Sequence, residues 1–155
     1  MNFELWNEWK MGRIDLQISL DDKKDIMKRT YKFALRTLYI AQILPNNPVT
    51  NRIIGQLVGS GTSMGSNTEE ASAGFSKNDF TFKMSIASKE SREVNYWLRL
   101  LRDSGLIKDK SFYDEVVDAI DESDQLKRIL TKIVKTSQKN EKSKRFLSKP
   151  KSSLS

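Results

Sequence analysis

The positions of proline constrain the fold of this chain more than any other feature of its sequence. The chain has three prolines among 155 residues: Pro45, Pro48 and Pro150. Three long segments, residues 22–44, 79–103 and 111–137, therefore contain none, and they are rich in Leu, Lys, Glu, Ala, Ile and Arg. Proline disrupts the interior of a helix, whereas these residues favour it. The sequence predicts an all-α protein.

The first two predicted helices are joined by a tight turn. The first helix is predicted over residues 22–44, with Asp21 or Asp22 as its N-cap. The segment from Pro45 to Pro48, with Asn46 and Asn47 between them, is a stop-and-turn signal. A loop this short predicts that the second helix runs antiparallel to the first. The predicted apolar stripe of the first helix comprises Ile26 or Met27, Phe33 or Ala34, Leu38 and Ala41.

Local propensity and side-chain pattern disagree about the second helix, which is predicted over residues 50–73. Four glycines, at positions 55, 59, 61 and 65, each cost about 1 kcal/mol relative to alanine in a helix. Two rows of residues nevertheless step by four and three through the segment. One row comprises Ile53, Leu57, Ser60, Met64, Asn67 and Ala71; the other, the small-sided row, comprises Ile54, Val58, Gly61, Gly65, Thr68 and Ser72. A small-sided row lets another helix approach closely. We therefore predict a helix with a close neighbour on this row.

The third helix is predicted over residues 79–103, with Ser76 or Asn78 as its cap. Its principal seam has a 4-3 spacing and consists of Phe80, Met84, Ala87, Ser91, Val94, Leu98 and Leu101. Such a seam is typical of a helix packed in a bundle. A second seam consists of Phe82, Ile86, Glu93, Trp97 and Leu100. Two partly apolar faces predict either a central helix or an interface between subunits.

The remaining segments complete the predicted domain organisation. A fourth helix is predicted over residues 111–137, which gives an antiparallel up-down-up-down four-helix bundle over residues 22–137. Residues 1–21 are predicted to form an N-terminal arm with Trp6 and Trp9. Residues 138–155 carry six basic side chains and one acid, a large part of the net charge of +7, and are predicted to be a disordered tail.

Composition excludes several classes of function. The chain has no cysteine and no histidine, which removes disulfides, thiolate metal sites and the commonest general base. Glu69, Glu70, Glu90 and Glu93 do not form the Glu-x-x-His pattern of a di-metal bundle. The glycine-rich segment 59–65 lacks the spacing and lysine of a phosphate loop. We predict no catalytic residue, cofactor or metal, no membrane span and a cytoplasmic location.

Two groups of residues are candidates for binding. The basic tail could contact nucleic-acid phosphates or could simply keep the chain soluble, and the sequence does not separate these alternatives. Its candidate nucleic-acid-binding residues are Lys139, Lys142, Lys144, Arg145, Lys149 and Lys151. The second group could form a polar site, but it is better interpreted as contacts between helices or subunits. It comprises Ser60, Ser63, Asn67, Glu70, Lys83, Glu90, Glu93 and Trp97.

About fifty residues also carry a family resemblance. They are Arg52, GQL at 55–57, SGTSMGSN at 60–67, EA at 70–71, SK at 76–77, DF at 79–80, K.SIA.KE at 83–90 and E..YWLRLL at 93–101. In this order and spacing they resemble the four-helix bundle proteins encoded within 23S rRNA intervening sequences, the S23 family. They are more distantly similar to the accessory variability proteins of diversity-generating retroelements. The resemblance implies a ring-shaped homopentamer, which in the retroelement relatives engages nucleic acid and a reverse transcriptase.

The sequence therefore predicts a non-enzymatic oligomer that binds nucleic acid or a nucleic-acid-processing partner such as a reverse transcriptase. The alternative is a protein-only scaffold with no direct role in nucleic-acid binding. Weak binding that is lost near physiological salt would favour the alternative.

Overall fold

The computed structural model describes residues 25–147, so the predicted N-terminal arm lies outside the described residues. Within this range the chain forms four helices and no strand: α1 (Ile26–Ile43), α2 (Pro48–Ser72), α3 (Lys77–Asp103) and α4 (Lys110–Leu147). Each helix packs against the next, and a lighter contact between α1 and α4 closes the arrangement. The prediction of an antiparallel four-helix bundle is confirmed. Among these helices, none is long and apolar enough to cross a membrane.

Side-chain caps determine where three of the helices begin. Asp25, rather than Asp21 or Asp22, caps α1, because its carboxylate accepts from the N–H groups of Met27 at 3.1 Å and Lys28 at 3.3 Å. Asn47 caps α2 in a reciprocal capping box with Thr50. Ser76 caps α3, as predicted, by accepting from the N–H group of Asp79 at 3.1 Å. Each cap satisfies backbone donors that would otherwise lack partners.

The face that α1 buries differs from the predicted stripe. Leu38 is 39% exposed and Ala41 is only half-buried, whereas Phe33, Thr37 and Ile40 are buried. The buried threonine is tolerated because its hydroxyl donates to the carbonyl of Ala34 at 2.7 Å. The core face of α1 therefore combines apolar residues with threonines whose hydroxyls bond within their own helix.

The buried face of α1 matches the small-sided row of α2. A Cβ built at Gly61 would lie 2.6 Å from Cγ2 of Thr37, and one at Gly65 would lie 3.4 Å from the carbonyl oxygen of Thr30. Both threonines are completely buried. The predicted close approach of another helix to the small-sided row of α2 is confirmed, and that helix is α1.

The third helix supplies the centre of the core. It packs against both α2 and α4, and six of the seven residues of its predicted seam are buried. These are Met84, Ala87, Ser91, Val94, Leu98 and Leu101. Asn95 donates to Ser123 of α4 at 2.7 Å, so a buried polar contact also sets the register of α3 against α4.

The fourth helix is longer than predicted. It continues to Leu147 instead of ending at residue 137, so residues 138–147 of the predicted disordered tail are helical. Ser137 contacts Thr81 of α3 through their buried hydroxyls. The residues that follow contain no proline or glycine before position 150 and include several Lys. Extending an existing helix costs far less than nucleating one, which explains the continuation.

Candidate nucleic-acid interface

An exposed basic row runs along the outer face of α4. Arg128, Lys132, Lys135 and Lys139 are separated by four, three and four residues, which places them on one side of the helix. All four side chains are exposed. Within the described residues, none of the four forms an ion pair with a carboxylate. The basic row therefore presents uncompensated positive charge to solvent.

The basic row forms one wall of a groove between α3 and α4. The groove encloses about 480 Å³. Its lining comprises Arg92, Lys127, Arg128, Thr131, Lys132, Lys135 and Thr136. The described lining contains five cationic residues and no acidic one. Lys127 is the exception to the uncompensated charge, because it pairs with Asp124 on the same helix.

Arg92 is held in place by both helices. One guanidinium nitrogen, Nη1, donates to the carbonyl of Ser88 at 2.7 Å, and Nη2 donates to the hydroxyl of Thr131 on α4 at 3.0 Å. The hydroxyls of Ser88 and Thr131 are themselves 3.3 Å apart. Arg92 thus contributes a fixed positive charge, whereas lysines on the opposite wall keep their rotational freedom.

A second hollow adjoins the groove toward the end of the bundle. It encloses about 580 Å³ and shares Lys132 and Thr136 with the groove. The rest of its lining consists of Lys77, Phe80, Ile129, Ile133, Ser137 and Asn140. Phe80 and Ile133 are partly buried against the core. The surface therefore changes from basic to apolar at Lys132.

The predicted nucleic-acid-binding residues lie only partly within the described structure. Lys139 is exposed on the basic row, and Lys142, Lys144 and Arg145 belong to α4 by their backbone. Lys149 and Lys151 lie outside the described residues. Sequence reasoning missed the cationic residues that α4 contributes to the groove: Lys127, Arg128, Lys132 and Lys135. The signal was present, because the 4-3 spacing of the basic row is readable in the sequence without any structure.

In the described part of the chain, the predicted contact residues of α2 make one bond to another helix. Glu70 pairs with Lys83 of α3. Asn67 instead donates to the carbonyl of Ser63 within α2 at 2.9 Å, and the buried Ser60 donates to the carbonyl of Gln56 at 2.7 Å.

Glu90 and Glu93, the acidic residues that α3 contributes to the predicted contact group, lie on the outer side of this helix. Burial raises the pKa of Glu90 above its ordinary value, the charge of Glu93 raises it further, and Lys89 opposes the shift. Glu90 and Glu93 are both half-buried. Among residues 25–147, no three acidic side chains cluster closely enough to hold a metal ion.

Trp97 also belongs to this outer side of α3. Its ring packs against the core and meets Tyr96 edge-on, with ring centroids 5.3 Å apart. Its indole Nε1 is buried, and no acceptor for it lies in the part of the chain that the structure describes. Phe82 and Leu100, on the same side of α3, are 61% and 40% exposed. The two end residues of the predicted second seam are therefore exposed in a single chain, whereas its three central residues are half-buried.

Comparison with known proteins agrees with this architecture. The family model of the 23S rRNA-intervening sequence proteins matches residues 22–132. The chain belongs to this family. The family match spans α1, α2, α3 and the first part of α4, and it ends before Lys135 and Lys139 of the basic row.

A solved structure also resembles the chain. It is a protein of unknown function from the S23 ribosomal protein family of Bacteroides thetaiotaomicron, with 31% identity and a TM-score of 0.62. The similarity covers 71% of this chain and 98% of that protein. No curated protein matches significantly. The intervening-sequence family assignment thus rests on sequence and on fold together.

Proposed function

We propose that this intervening-sequence protein is a non-enzymatic, homo-oligomeric bundle that binds nucleic acid through the groove between α3 and α4. The observation that carries the proposal is the lining of this groove, where five cationic residues meet and the described lining has no acid. Polyanions bind such surfaces by releasing condensed counterions. The family name refers to 23S rRNA, so RNA is the first nucleic acid to test.

The outer side of α3 supports self-association. Phe82 and Leu100 leave apolar surface exposed, and Trp97 retains a buried N–H group without an acceptor in the described chain. Aromatic residues in such positions are enriched at the centres of protein interfaces. A second copy that covers this side would bury the apolar surface that Phe82 and Leu100 expose. By resemblance to the retroelement accessory proteins, we propose a ring of five copies.

Native mass spectrometry tests the oligomer directly. We expect five copies of the 17.9 kDa chain at micromolar concentration. Leu100→Asp should dissociate the assembly, because it places a charge in the proposed interface. Leu35→Asp is the matched control, since Leu35 is 38% exposed on α1 and Leu100 is 40% exposed on α3. A monomeric wild-type protein, or equal effects of the two variants, would contradict the proposed interface.

Charge reversal tests the groove. We expect the triple variant Arg128→Glu, Lys132→Glu and Lys135→Glu to weaken binding of a labelled RNA in fluorescence anisotropy. The slope of log K against log salt should fall by about 2, since each lost phosphate contact on a single strand removes about 0.7. A control variant reverses three exposed cations that do not line the groove: Lys28, Arg52 and Lys108. Equal losses in both variants would mean that net charge, not the groove, determines binding.

Deletion of residues 141–155 separates the groove, including Lys139 of the basic row, from the basic extension. If the extension contributes, the deletion should weaken binding and flatten the salt slope further. Unchanged binding would restrict the interface to the groove. The deletion keeps Ser137, so the buried contact with Thr81 remains.

A protein-only scaffold is the second candidate function. An exposed apolar stripe on α1, made by Tyr31, Leu35 and Leu38, favours it, because these side chains are 59%, 38% and 39% exposed. Such a stripe suits a protein partner, for example a nucleic-acid-processing enzyme such as a reverse transcriptase. RNA binding that disappears near physiological salt and ignores reversal of the basic row would favour this scaffold role.

A further inference from the structure

The hollow beside the basic groove has a different chemistry from the groove itself. Phe80, Ile129 and Ile133 give it apolar walls, while Lys77 and Lys132 stand among its lining residues. Its volume of about 580 Å³ lies in the range of about 300–1,000 Å³ that is typical of small-molecule sites. Because Lys132 and Thr136 line both cavities, a ligand in the groove can continue into the hollow without leaving the surface.

A cationic groove beside an apolar hollow should bind single-stranded and duplex nucleic acid differently. In a duplex the bases are stacked inside, and a protein surface meets phosphates and groove edges. In a single strand the bases are free to turn toward apolar and aromatic side chains while cations follow the backbone. The basic groove, which continues into an apolar hollow with one phenylalanine, therefore suits a single strand better than a duplex.

We propose that the protein selects single-stranded nucleic acid, with phosphates along the basic groove and a base in the hollow against Phe80. The inference rests on the proposed nucleic-acid binding and adds the form of the ligand. From Arg128 to Asn140 the α4 surface spans roughly 18 Å at 1.5 Å per residue. This length matches about five stacked nucleotides at 3.4 Å each.

The test uses the full-length wild-type protein and three fluorescein-labelled 12-mer probes. The first probe is a single strand, the second is the same strand in a duplex, and the third is an abasic strand with the same number of phosphates. We expect the base-bearing single strand to bind about tenfold more tightly than the abasic strand, since one base stacked on an aromatic side chain contributes on that scale. The duplex should also bind more weakly than the single strand.

Phe80→Leu localises the effect to the hollow. The leucine keeps an apolar side chain at this half-buried position but removes the aromatic ring. Affinity for the base-bearing strand should fall about fivefold, the low end of a stacking contribution, while affinity for the abasic strand stays the same. A far-ultraviolet circular dichroism melt verifies that the variant is folded.

The outcomes separate this inference from the proposed function. Equal affinities for all three probes, with sensitivity to reversal of the basic row, would overturn single-strand selection and leave nucleic-acid binding intact. No binding of any probe at low salt would overturn both. Poly-glutamate that displaces the single strand as well as an unlabelled strand of equal charge would overturn the inference in favour of an acidic peptide ligand.

Discussion

The close contact between α1 and α2 predicts opposite effects for two glycine-to-alanine substitutions in the same helix. Gly59 and Gly61 both lie in the interior of α2, so alanine should improve the helix propensity at each by about 1 kcal/mol. Nothing lies within 4 Å of a Cβ built at Gly59. Gly59→Ala should therefore stabilise the protein by about this amount.

At Gly61 the same methyl group meets a buried side chain. The added Cβ would lie 2.6 Å from Cγ2, 2.7 Å from Oγ1 and 3.1 Å from Cβ of Thr37. Apolar carbon atoms prefer separations of about 3.5–4.0 Å, so close to 1 Å of relief is needed. Rotation of Thr37 exchanges its methyl and hydroxyl groups without moving its Cβ. The two helices must therefore separate.

The stability change expected for Gly61→Ala is the steric cost of overpacking minus the gain in helix propensity. Overpacking of this kind costs about 1–3 kcal/mol, against a propensity gain of about 1 kcal/mol. Gly61→Ala should range from nearly neutral to about 2 kcal/mol destabilising. The difference between the two variants isolates the steric cost, because the propensity gain is common to both, and it should be about 1–3 kcal/mol.

Urea denaturation followed by circular dichroism measures this difference. All proteins should be compared at one concentration, because self-association makes apparent stability depend on concentration. The double variant Gly61→Ala with Thr37→Ala should recover part of the loss, since it removes the two closest atoms. A Gly61→Ala variant as stable as Gly59→Ala would refute the conclusion that α1 and α2 touch through this glycine.

Two further predictions concern ion pairs between α1 and α4. Arg29, only 4% exposed, bonds Glu122 through Nε at 3.1 Å and Nη2 at 2.9 Å, so Arg29→Ala should cost about 3–5 kcal/mol in urea denaturation by stranding a buried charge. Replacing both residues by methionine should cost much less, and equal costs would contradict this explanation. Burial raises the pKa of Glu115 above its ordinary value of 4.5, although Arg36 opposes the shift. The folded state thus binds this proton more tightly than the unfolded state, and stability falls as pH rises from 4.5 through the raised pKa. Glu115→Gln should lack this decline. Parallel pH–stability curves for the variant and the wild type would therefore rule out a contribution of Glu115 to the pH dependence.

Sequence periodicity predicted the elements that are long and regular. The 4-3 seam of α3 predicted its buried face, because each position of the seam points in the same direction around the helix. The small-sided row of α2 correctly overruled the low helix propensity of its glycines. Both predictions succeeded because the pattern extends over several turns and does not depend on which partner the helix meets.

The face of α1 could not be deduced in the same way. Its sequence offers one stripe with Leu38 and Ala41 and another with Thr30 and Thr37, and hydrophobicity favours the first. The second is buried because Gly61 and Gly65 of α2 accept a close neighbour there. The hydroxyls of the two threonines are satisfied by carbonyls of their own helix. The choice therefore depends on a contact between helices that a single helix does not reveal.

The basic row of α4 does not stand out in the amino-acid composition of any segment. It becomes visible only when the residues are read with the period of a helix. Residues 138–155 stand out by charge, which drew the predicted interface toward the chain end. The row from Arg128 to Lys139 is interrupted in the sequence by the apolar residues that face the core, such as Leu130 and Ile133. Only the helical period separates the two faces of α4. A search for cations at 4-3 spacing would have found the row.

The geometry of Arg92 argues that this surface is more than a solvated charged face. A surface arginine ordinarily keeps several rotamers, and ordering it on binding costs about 0.5–1.5 kcal/mol. Here Ser88 and Thr131 already hold the two terminal guanidinium nitrogens, Nη1 and Nη2, so much of that cost is met in the free protein. Thr131 belongs to the helix that carries the basic row, so the same bonds also fix the distance between the two walls of the groove. A groove with one fixed wall charge and several mobile lysines opposite it is suited to a flexible polyanion, whose phosphates the lysines can follow.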